Sequence, residues 1–581
     1  MRLVKIGVAS VSVKVGDFAG NAARLREVVQ AARGQDVHLL VTPELAVSGY
    51  SLEDRVFWPE IARRGWAALE ELATATKGIA VFFGLPVCLD SMMYNGTALA
   101  YDGSVRGVVL KKYLPTYSIF YEGRNWTAWR RGVSKLHGVP IGDVVFKLPF
   151  GCVSAEICED LWSTNQPAGE RVLAGAEIIC NSSASPFTPL KNEQRKRLVL
   201  GAAGSFACVY AYANLLGCDS SRLVFDGGGL VATPDGIVAE GSVLSKDYWT
   251  LAAGVVNLDD VGRVRAENST WRQRVEHNRQ PDGSLVVDLD EKRYTPAKAE
   301  EYAAQMPANL FLAAGSETSV GADAFLDQLF DALVLGLRDY FEKVGTFDRF
   351  LVALSGGRDS SLCLLLAVHA AKALDAGAAA ADYARRVKVA YLPNKAYSSD
   401  ATQAAARALA EELGVPFKVA DISEEAKIAF EKAAELADGS ENVTPIAKQN
   451  LQARIRGSMM LNWANNERGL LLVTSNLSEA AVGYTTTGGD NQGGYSPIAN
   501  VPKTILTALL ERIAARERIA SIEHVLAIPP SAELAPDQTD EADLMPYGVL
   551  DDLLFLFARR RMSLTDCWRI LVYRHPDHKP E

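Results

Sequence analysis

The sequence predicts an α/β protein of at least two domains. Apolar runs of strand length alternate with segments of helical periodicity along most of the chain. Its 581 residues exceed the roughly 100–200 residues of a typical domain. A polar, irregular stretch with turn residues such as Pro281-Asp282-Gly283 interrupts the alternation. We therefore expect domains at 1–265 and 321–581, joined by a linker at 266–320.

Composition and charge favour small-molecule chemistry. Hydrophobic residues make up 48% and charged residues 22% of the chain, as in ordinary globular proteins. The net charge of -10 argues against a nucleic-acid-binding surface. No uncharged run approaches membrane-spanning length, and the first residues begin a strand rather than a signal sequence. The 8 cysteines are scattered without a CxxC pair, so we expect a protein of the reducing cytoplasm with no membrane partner.

The chain opens with a strand–helix–strand unit that leads to a carboxylate. Apolar periodicity predicts strands at 4–10 and 37–42 around a helix at 21–33, and Glu44 follows the second strand. Ligands of α/β layers gather at the carboxyl ends of strands, so Glu44 is a candidate site residue. The alternative role for this side chain is to cap the following turn.

Two later strands end at a lysine pair and at a cysteine. The strand predicted at 105–110 runs directly into Lys111 and Lys112, and another ends at Cys158 among carboxylates. Neighbouring anions raise a thiol pKa, so Cys158 needs a cation and a base, which Lys111 and Glu44 can supply. A solvated strand edge and a buried structural cysteine are the alternatives.

These positions resemble the Glu-Lys-Cys triad of the nitrilase, or carbon–nitrogen hydrolase, superfamily. Glu44 stands in Pro-Glu-Leu-Ala-Val-Ser-Gly-Tyr and Cys158 in Glu-Ile-Cys-Glu-Asp-Leu-Trp. Lys111, rather than Lys112, has the family's spacing from the lysine to a following leucine. The resemblance implies an αββα sandwich for the N-terminal domain and an amidase reaction through a thioester on the cysteine.

Further segments of this domain are similar to the glutamine side of glutaminase-type nitrilases. They follow predicted strands at 177–181 and 208–214 and include Ser-Ser-Ala-Ser-Pro-Phe-Thr-Pro-Leu-Lys. By this likeness Tyr117, Ser185 and Lys191 contact glutamine. Loop hydrogen bonding is the alternative role for Tyr117 and Ser185.

The second domain begins with a helix at 322–344 and then a glycine-rich loop. An apolar strand at 351–354 precedes the loop, and a helix at 359–374 follows it. Its glycines let backbone N–H groups and the helix N-terminus point at one anion. The loop lacks the Lys-Ser/Thr pair of a Walker A motif, which argues against γ-phosphate transfer. The predicted nucleotide contacts here are Leu354, Ser355, Gly356, Gly357, Arg358, Asp359 and Ser360.

This loop resembles the pyrophosphate loop of the N-type ATP pyrophosphatases. That family cleaves ATP between the α and β phosphates to adenylylate a carboxylate or carbonyl, and pyrophosphate leaves. Asp359 is placed to hold Mg²⁺ on the nucleotide. A glycine-rich turn capped by Ser and Asp is the alternative for the loop.

Strands and helices continue to alternate after the loop. Strands at 387–392 and 417–421 flank a helix at 400–413, which is typical of a doubly wound parallel sheet. A further strand from 470 ends at Thr474, and Glu479 lies just beyond it. The glycine-rich segment 483–490 can close over a substrate.

Together with Gln-Asn-Leu-Gln-Ala-Arg from residue 449 onward, these segments resemble NAD⁺ synthetase. The order of motifs along nearly the whole chain resembles the glutamine-dependent NAD⁺ synthetase family. The likeness implies that Thr474 contacts ATP, that Asn450, Arg454 and Glu479 contact deamido-NAD⁺, and that Asp359 and Glu479 hold Mg²⁺. It also implies a homo-oligomer built on a dimer of the synthetase domain.

Three positions depart from the family pattern. Gln449 stands where the family usually has Glu, Thr487 where ammonia-dependent relatives have a substrate-binding Lys, and Gly489 lacks a preceding aromatic residue.

The resemblance implies a two-site amidotransferase that hydrolyses glutamine and passes ammonia to an adenylylated nicotinate carboxylate. Its products are NAD⁺, AMP, pyrophosphate and glutamate. Two other hypotheses stay open on sequence grounds. One is an enzyme that couples the same two reactions to a different carboxylate, and the other is a binding or scaffold protein that kept both folds without catalysis.

Overall fold

A computed structural model describes the chain over 1–220, 222–277, 285–289, 294–312, 319–375, 385–535 and 538–578. These residues form two compact units, the first from Met1–Met306 with Trp568–Arg574 and the second from Pro307–Cys567 with His575–Glu581. Pro281-Asp282-Gly283 lies outside the described residues. Among the helices described, none has both the length and the apolar composition needed to cross a membrane.

Two large sheets build the first unit. The eight-stranded sheet has the order β16-β1-β2-β3-β4-β5-β7-β6 and the seven-stranded sheet has the order β15-β14-β11-β10-β9-β8-β17, and a small ribbon pairs β12 with β13. The strands are β1 Leu3–Val11, β2 Leu39–Val41, β3 Ala80–Leu89, β4 Met92–Tyr101, β5 Ser104–Leu110, β6 Val133–Leu136, β7 Val139–Gly142, β8 Val144–Leu148, β9 Gly151–Ile157, β10 Ile178–Ser183, β11 Val209–Asn214, β12 Leu216–Cys218, β13 Val224–Asp226, β14 Leu230–Thr233, β15 Gly236–Glu240, β16 Trp249–Asn257 and β17 Leu285–Asp288.

Helices cover the outer face of each sheet. They are α1 Phe18–Gly34, α2 Pro59–Ala73, α3 Glu122–Asn125, α4 Glu159–Trp162, α5 Ala168–Leu173, α6 Lys191–Phe206, α7 Leu258–Glu267, α8 Ser269–His277 and α9 Ala299–Ala304. One apolar core lies between the sheets, where Val4 and Ile6 of β1 share a cluster with Phe146 of β8 and Val153 of β9. Two further cores lie under α1 with α2 and under α5 with α6. This arrangement confirms the expected αββα sandwich.

The segment after residue 266 is more regular than its composition indicates. It contains α8, β17 and α9, and β17 pairs in parallel with β8 at the edge of the seven-stranded sheet. The Lys5 ammonium donates to Glu301 Oε2 at 2.6 Å, so α9 is also anchored in the first unit. The described residues between 266 and 306 therefore belong to the first unit, and the compact units divide after Met306.

The second unit has a four-stranded parallel sheet with the order β20-β19-β18-β21. Its strands are β18 Arg349–Ala353, β19 Val387–Tyr391, β20 Phe417–Val419 and β21 Gly469–Leu471. The first two strands in sequence lie side by side in the middle, and the last pairs on the opposite edge from β20. The connection therefore reverses direction at β18, as the predicted doubly wound sheet requires.

Helices pack against this sheet around one main apolar core. They are α10 Ser319–Val344, α11 Arg358–Leu374, α12 Asp400–Glu412, α13 Ser423–Leu436, α14 Pro445–Glu467, α15 Leu477–Val482, α16 Lys503–Glu517, α17 Ile522–Ala527, α18 Asp540–Asp543 and α19 Tyr547–Leu554. The last helix, α20 Leu564–Arg574, belongs to the first unit from Trp568 onward. Central α11 is buried along most of its length, which explains its run of Leu, Cys, Ala and Val. The loop after β18 lies at the carboxyl end of the central strand.

A single glycine shapes that loop. Gly356 has φ of +83°, and a Cβ atom there would lie 2.2 Å from the Thr402 carbonyl oxygen. Both the left-handed backbone and the close approach exclude a larger residue. The turn therefore depends on this glycine rather than on glycine content in general.

We predict that Gly356→Ala destabilises the second unit more than Gly345→Ala does. Both residues have positive φ, which costs about 1–2 kcal/mol for Ala. A Cβ at Gly345 meets no atom closer than 3.6 Å, whereas at Gly356 the clash adds ~1–3 kcal/mol. Hydrogen exchange of the amides in β18 and α11 measures the difference. Equal protection in the two variants would contradict the prediction.

Candidate active sites

Three side chains that follow strands meet in the first unit. Glu44, Lys111 and Cys158 come after β2, β5 and β9, and their exposed fractions are 0%, 1% and 7%. The Lys111 ammonium donates to Glu44 Oε1 at 2.6 Å. Burial and the charge of Glu44 raise the pKa of the Cys158 thiol. Because β2 and β5 belong to one sheet and β9 to the other, the site lies where the carboxyl ends of the two sheets meet.

Cys158 occupies a strained turn between β9 and α4. Its φ of 45° is uncommon for a residue with a side chain. The Cys158 N–H donates to Ser182 O and to Asn181 Oδ1, each at 3.1 Å. The Asn181 amide in turn donates to Tyr210 OH at 2.9 Å, and that hydroxyl donates to Glu156. Neighbouring strands thus hold the turn in place, as persistent backbone strain requires.

The Glu44 carboxylate is fixed by donors from both sheets. Asn95 Nδ2 donates to its Oε1 at 2.6 Å, and the Ala184 N–H donates to its Oε2 at 2.9 Å. The Ala184 N–H also lowers the pKa of the Cys158 thiol, although less than burial raises it. A base with one fixed orientation therefore lies beside the thiol.

The structure adds a fourth buried group that sequence reasoning missed. Glu122 accepts from the Lys111 ammonium at 2.8 Å and from Tyr50 OH at 2.7 Å. Burial raises the pKa of Glu122 to about 7. Although burial lowers it, the charges of Glu122 and Glu44 raise the pKa of Lys111 well above its ordinary value, so the ammonium stays charged. Glu122 lies in the four-residue α3 rather than at a strand end. In the sequence it is an isolated acidic residue, so no strand-end pattern identified it as a site residue.

Two of the three predicted glutamine contacts touch α4, which begins just after Cys158. Tyr117 is exposed, and its hydroxyl donates to the Glu159 carboxylate at 3.0 Å. The Lys191 ammonium lies 5.7 Å from the centre of the Trp162 ring, and burial lowers its pKa. Both side chains therefore lie close to the turn that carries Cys158.

Ser185, the third predicted contact, is buried one residue beyond Ala184. Its hydroxyl accepts from Arg195 Nε at 3.2 Å, and its N–H donates to Asn214 Oδ1 at 2.8 Å. Arg195 also makes a bidentate ion pair with Asp226 at 2.7 and 2.8 Å. The loop that carries Ser185 is thus held rigidly from behind.

In the second unit, the loop after β18 lines a cavity of about 540 Å³. The Ser355 N–H donates to Ser360 Oγ at 3.1 Å, and the Gly357 N–H donates to Ser355 Oγ at 3.2 Å. These bonds close the loop into a tight concave turn at the start of α11. The predicted residues that line the cavity are Leu354, Ser355, Gly357, Arg358, Asp359, Ser360, Thr474, Asn450 and Glu479.

Asp359 and Glu479 share a buried lysine in this cavity. The Lys503 ammonium donates to Asp359 Oδ2 and, at 2.9 Å, to Glu479 Oε1. Asn476 Nδ2 donates to the other Asp359 oxygen at 2.5 Å. Burial and the charge of Asp359 raise the pKa of Glu479 to about 7. The carboxylates that were predicted to hold Mg²⁺ are therefore brought together around one positive charge.

Three of the predicted residues, Arg358, Gly356 and Arg454, contact other parts of the protein. The Arg358 guanidinium donates to Thr507 Oγ1 at 3.3 Å and to Leu526 O at 3.1 Å. Gly356 packs against Thr402 rather than lining the cavity. Arg454 is exposed outside the cavity lining, and its Nε donates to Thr487 O at 3.1 Å. The Arg358 guanidinium is therefore bonded within the protein, and the contact of this residue with ATP stays a prediction.

Two family models cover most of the chain. A carbon-nitrogen hydrolase model matches 5–266, and an NAD synthase model matches 329–569. The glutamine-dependent NAD(+) synthetase of Aquifex aeolicus is 32% identical over 566 residues, which are 97% of this chain and 90% of that protein. The chain belongs to the glutamine-dependent NAD(+) synthetase family.

Other members of the glutamine-dependent NAD(+) synthetase family match a similar share of this chain. The Thermotoga maritima protein is 31% identical over 97% of this chain and 90% of its own length. A crystal structure of the Cytophaga hutchinsonii enzyme is 25% identical and covers 99% of this chain and 90% of that one, with a TM-score of 0.42.

The synthetase cavity also contains residues that sequence reasoning missed. One of them is Lys503, whose ammonium links both predicted metal ligands. Tyr547 OH donates to Asp540 Oδ2 at 3.1 Å and to Glu479 Oε1 at 3.3 Å, so Asp540 is part of the same cluster. Asp540 and Tyr547 belong to α18 and α19 near the end of the second unit. No strand-end pattern identifies them.

We predict that Lys111→Ala and Lys112→Ala differ sharply in glutamine hydrolysis. Removal of the buried Lys111 ammonium should reduce glutamate release by about 10²–10³-fold, as loss of one oxyanion donor does. Lys112 instead pairs with Glu170 at 2.9 Å and Asp143 at 3.2 Å, so its loss should cost little. A steady-state glutaminase assay measures both variants. The reverse ranking would place Lys112 in the site.

Proposed function

We propose that this chain carries out the reaction of its family at the two sites described above. The reaction is ATP-dependent amidation of deamido-NAD⁺ to NAD⁺ with ammonia from glutamine, and it releases AMP, pyrophosphate and glutamate. The single observation that best supports the proposal is the buried Glu44–Lys111 pair beside Cys158 in the first unit. This pair places a base and a cation beside the thiol, and these are the two groups that a cysteine nucleophile and its oxyanion need.

In the glutaminase site, Cys158 acts as the nucleophile and Glu44 as the base. Burial keeps the thiol protonated at rest, so Glu44 takes its proton as Sγ attacks the glutamine amide carbon. The Lys111 ammonium stabilises the oxyanion, and the proton passes to the leaving nitrogen as ammonia departs. A thioester remains on Cys158. Water then attacks it with Glu44 again as base, and glutamate leaves.

Tyr117, Ser185 and Lys191 bind the substrate end of glutamine in this proposal. The Lys191 cation is half-buried near the nucleophile and suits the substrate carboxylate. Tyr117 and the buried Ser185 supply hydroxyl groups that can hydrogen-bond the polar part of the molecule.

In the synthetase site, the loop from Ser355 to Ser360 binds the ATP phosphates and Thr474 contributes a hydroxyl from the end of β21. The nicotinate carboxylate of deamido-NAD⁺ attacks the α phosphate, and pyrophosphate leaves. Ammonia then attacks the acyl adenylate carbon, and AMP leaves. Asn450 lines the same cavity, and Arg454 lies one helical turn further along α14, so both suit deamido-NAD⁺.

Asp359 and Glu479 fit a bound Mg²⁺ ion. Their oxygens bond one ammonium and therefore converge on one point, and carboxylate oxygen is the ligand type that Mg²⁺ takes. Among the described residues, no cluster of three or more His, Cys, Asp or Glu has metal-site geometry, so phosphate oxygens would complete the set. The ion supplies charge neutralisation on the phosphates. The Lys503 ammonium balances the negative charge of the two carboxylates.

We also propose a homo-oligomer built on a synthetase-domain dimer and a cytoplasmic location. The family resemblance supports the first, and sedimentation of the purified chain tests it. The proposed role of Cys158 supports the second, because its thiol must stay reduced to react.

We predict that Cys158→Ala abolishes glutamine-dependent NAD⁺ formation while ammonium-dependent formation remains. Without Sγ no thioester can form. The ATP loop, Asp359 and Glu479 lie in the other compact unit, so added ammonium at high pH should restore synthesis. NAD⁺ formation with each nitrogen source measures this. A variant that still uses glutamine, or a folded one that ammonium cannot rescue, would sink the two-site proposal.

We predict that Asp359→Ala abolishes synthesis with either nitrogen source. Its loss removes a Mg²⁺ ligand and leaves the Lys503 ammonium with one carboxylate fewer. NAD⁺ formation at ordinary Mg²⁺ concentration is the measurement, and Lys112→Ala is the control for handling of the protein. Normal synthesis by the variant would remove Asp359 from the mechanism.

A further inference from the structure

One buried carboxylate of the first unit lies between two elements of the glutaminase site without touching the reacting atoms. Asp160 is 1% exposed. Its Oδ1 accepts from the N–H groups of Lys112 and Tyr113 at 3.1 and 2.9 Å, and its Oδ2 accepts from the Ile157 N–H at 3.0 Å. Three backbone donors therefore share one side chain.

These donors come from different sheets. Lys112 and Tyr113 follow Lys111 at the end of β5 in the eight-stranded sheet, whereas Ile157 is the last residue of β9 in the seven-stranded sheet. Ile157 directly precedes the cysteine turn, and Lys112 directly follows the catalytic lysine. The Asp160 carboxylate thus binds the backbone next to Lys111 and next to Cys158, which act together in the proposed mechanism.

We propose that Asp160 is a positioning residue for glutamine hydrolysis, one that fixes the Lys111 ammonium relative to the Cys158 thiol by tying the two sheets together. This inference rests on the proposed function of the first unit. Apolar packing between sheets is non-directional and does not by itself set a distance to within a few tenths of an ångström. Hydrogen bonds to a fixed acceptor do so.

The buried environment of Asp160 disfavours the ionised form of its carboxyl group. Burial and the nearby Glu156 raise its pKa to about 7, and the N–H donors of Ile157 and Tyr113 oppose that rise. A buried acid that only filled space could be replaced by an apolar side chain at little cost. The two carboxylate oxygens match three donors that no apolar residue could satisfy.

Asn is the informative substitution because it keeps the shape of Asp and exchanges one acceptor for a donor. In either orientation of the amide, its NH₂ group faces a backbone N–H, so one sheet loses its bond. The site residues Glu44, Lys111 and Cys158 stay unchanged. The effect should therefore appear in the rate of the chemical step, since misplacement of about 1 Å can cost about 10²-fold.

The experiment compares wild type, Asp160→Asn and Asp160→Ala in the full chain. Each is assayed for glutamate release as a function of glutamine concentration, for thioester formation by mass spectrometry, and for NAD⁺ formation with ammonium. We expect kcat for glutamine hydrolysis to fall about 10–100-fold in Asp160→Asn and further in Asp160→Ala. KM should stay within about threefold, because the residues proposed to bind glutamine are untouched.

Glu177→Gln provides a matched control at the opposite end of β9. Glu177 Oε2 accepts from the Cys152 N–H at 3.1 Å, so this residue is another largely buried acid that binds the backbone of the same strand. It lies away from the cysteine turn. Its substitution should leave glutamine hydrolysis within about twofold of wild type.

The possible outcomes separate this inference from the function it rests on. A lower kcat in Asp160→Asn, with intact ammonium-dependent synthesis and a normal Glu177→Gln control, supports it. An unchanged kcat, an equal loss in Glu177→Gln, or loss of ammonium-dependent synthesis in both Asp160 variants overturns it, the last because Asp160 would then maintain the fold. A wild-type chain that hydrolyses no glutamine contradicts the proposed function itself.

Discussion

A buried lysine held between two carboxylates is the interaction on which each site depends. Lys111 lies between Glu44 and Glu122, and Lys503 lies between Asp359 and Glu479. Buried charges are costly, and removal of one member of such a group costs about 3–5 kcal/mol because an unbalanced charge remains. Each lysine therefore holds two acidic side chains close together. The surrounding strands and loops bring the lysine and its two carboxylates into contact.

The two units reach this arrangement by different routes. In the first, the partners come from the ends of strands in two packed sheets and from a short helix, so groups far apart in sequence converge across the sandwich. In the second, Asp359 opens the helix after the central strand, while Glu479 and Lys503 lie in the first turns of two later helices. Carboxyl ends of strands gather functional groups in both cases, but only the second unit adds a backbone cradle suited to phosphate.

The fold class and the strand-end residues could be predicted from sequence, because apolar periodicity marks strands and their ends. Glu44, Cys158 and Asp359 were found in this way. Glu122 and Lys503 were not, because their importance comes from pairing inside the folded chain and neither follows a strand. The pairing of β17 with β8 was missed for a similar reason, since it joins residues 141 positions apart, such as Val286 and Val145, through a polar stretch that resembles a linker. The roles assigned to the glutamine and deamido-NAD⁺ contacts remain predictions.

The raised pKa of the Cys158 thiol has a consequence for the lifetime of the protein. Peroxides and alkylating agents react with thiolates far faster than with thiols. A cysteine that is buried and protonated at rest is therefore a poor target for oxidation, even though it is the residue that must become strongly nucleophilic. In the proposed mechanism its proton leaves only when glutamine occupies the site, where the substrate excludes other electrophiles. Burial of the Cys158 thiol, which keeps it unreactive before substrate binds, thus also protects it from oxidation.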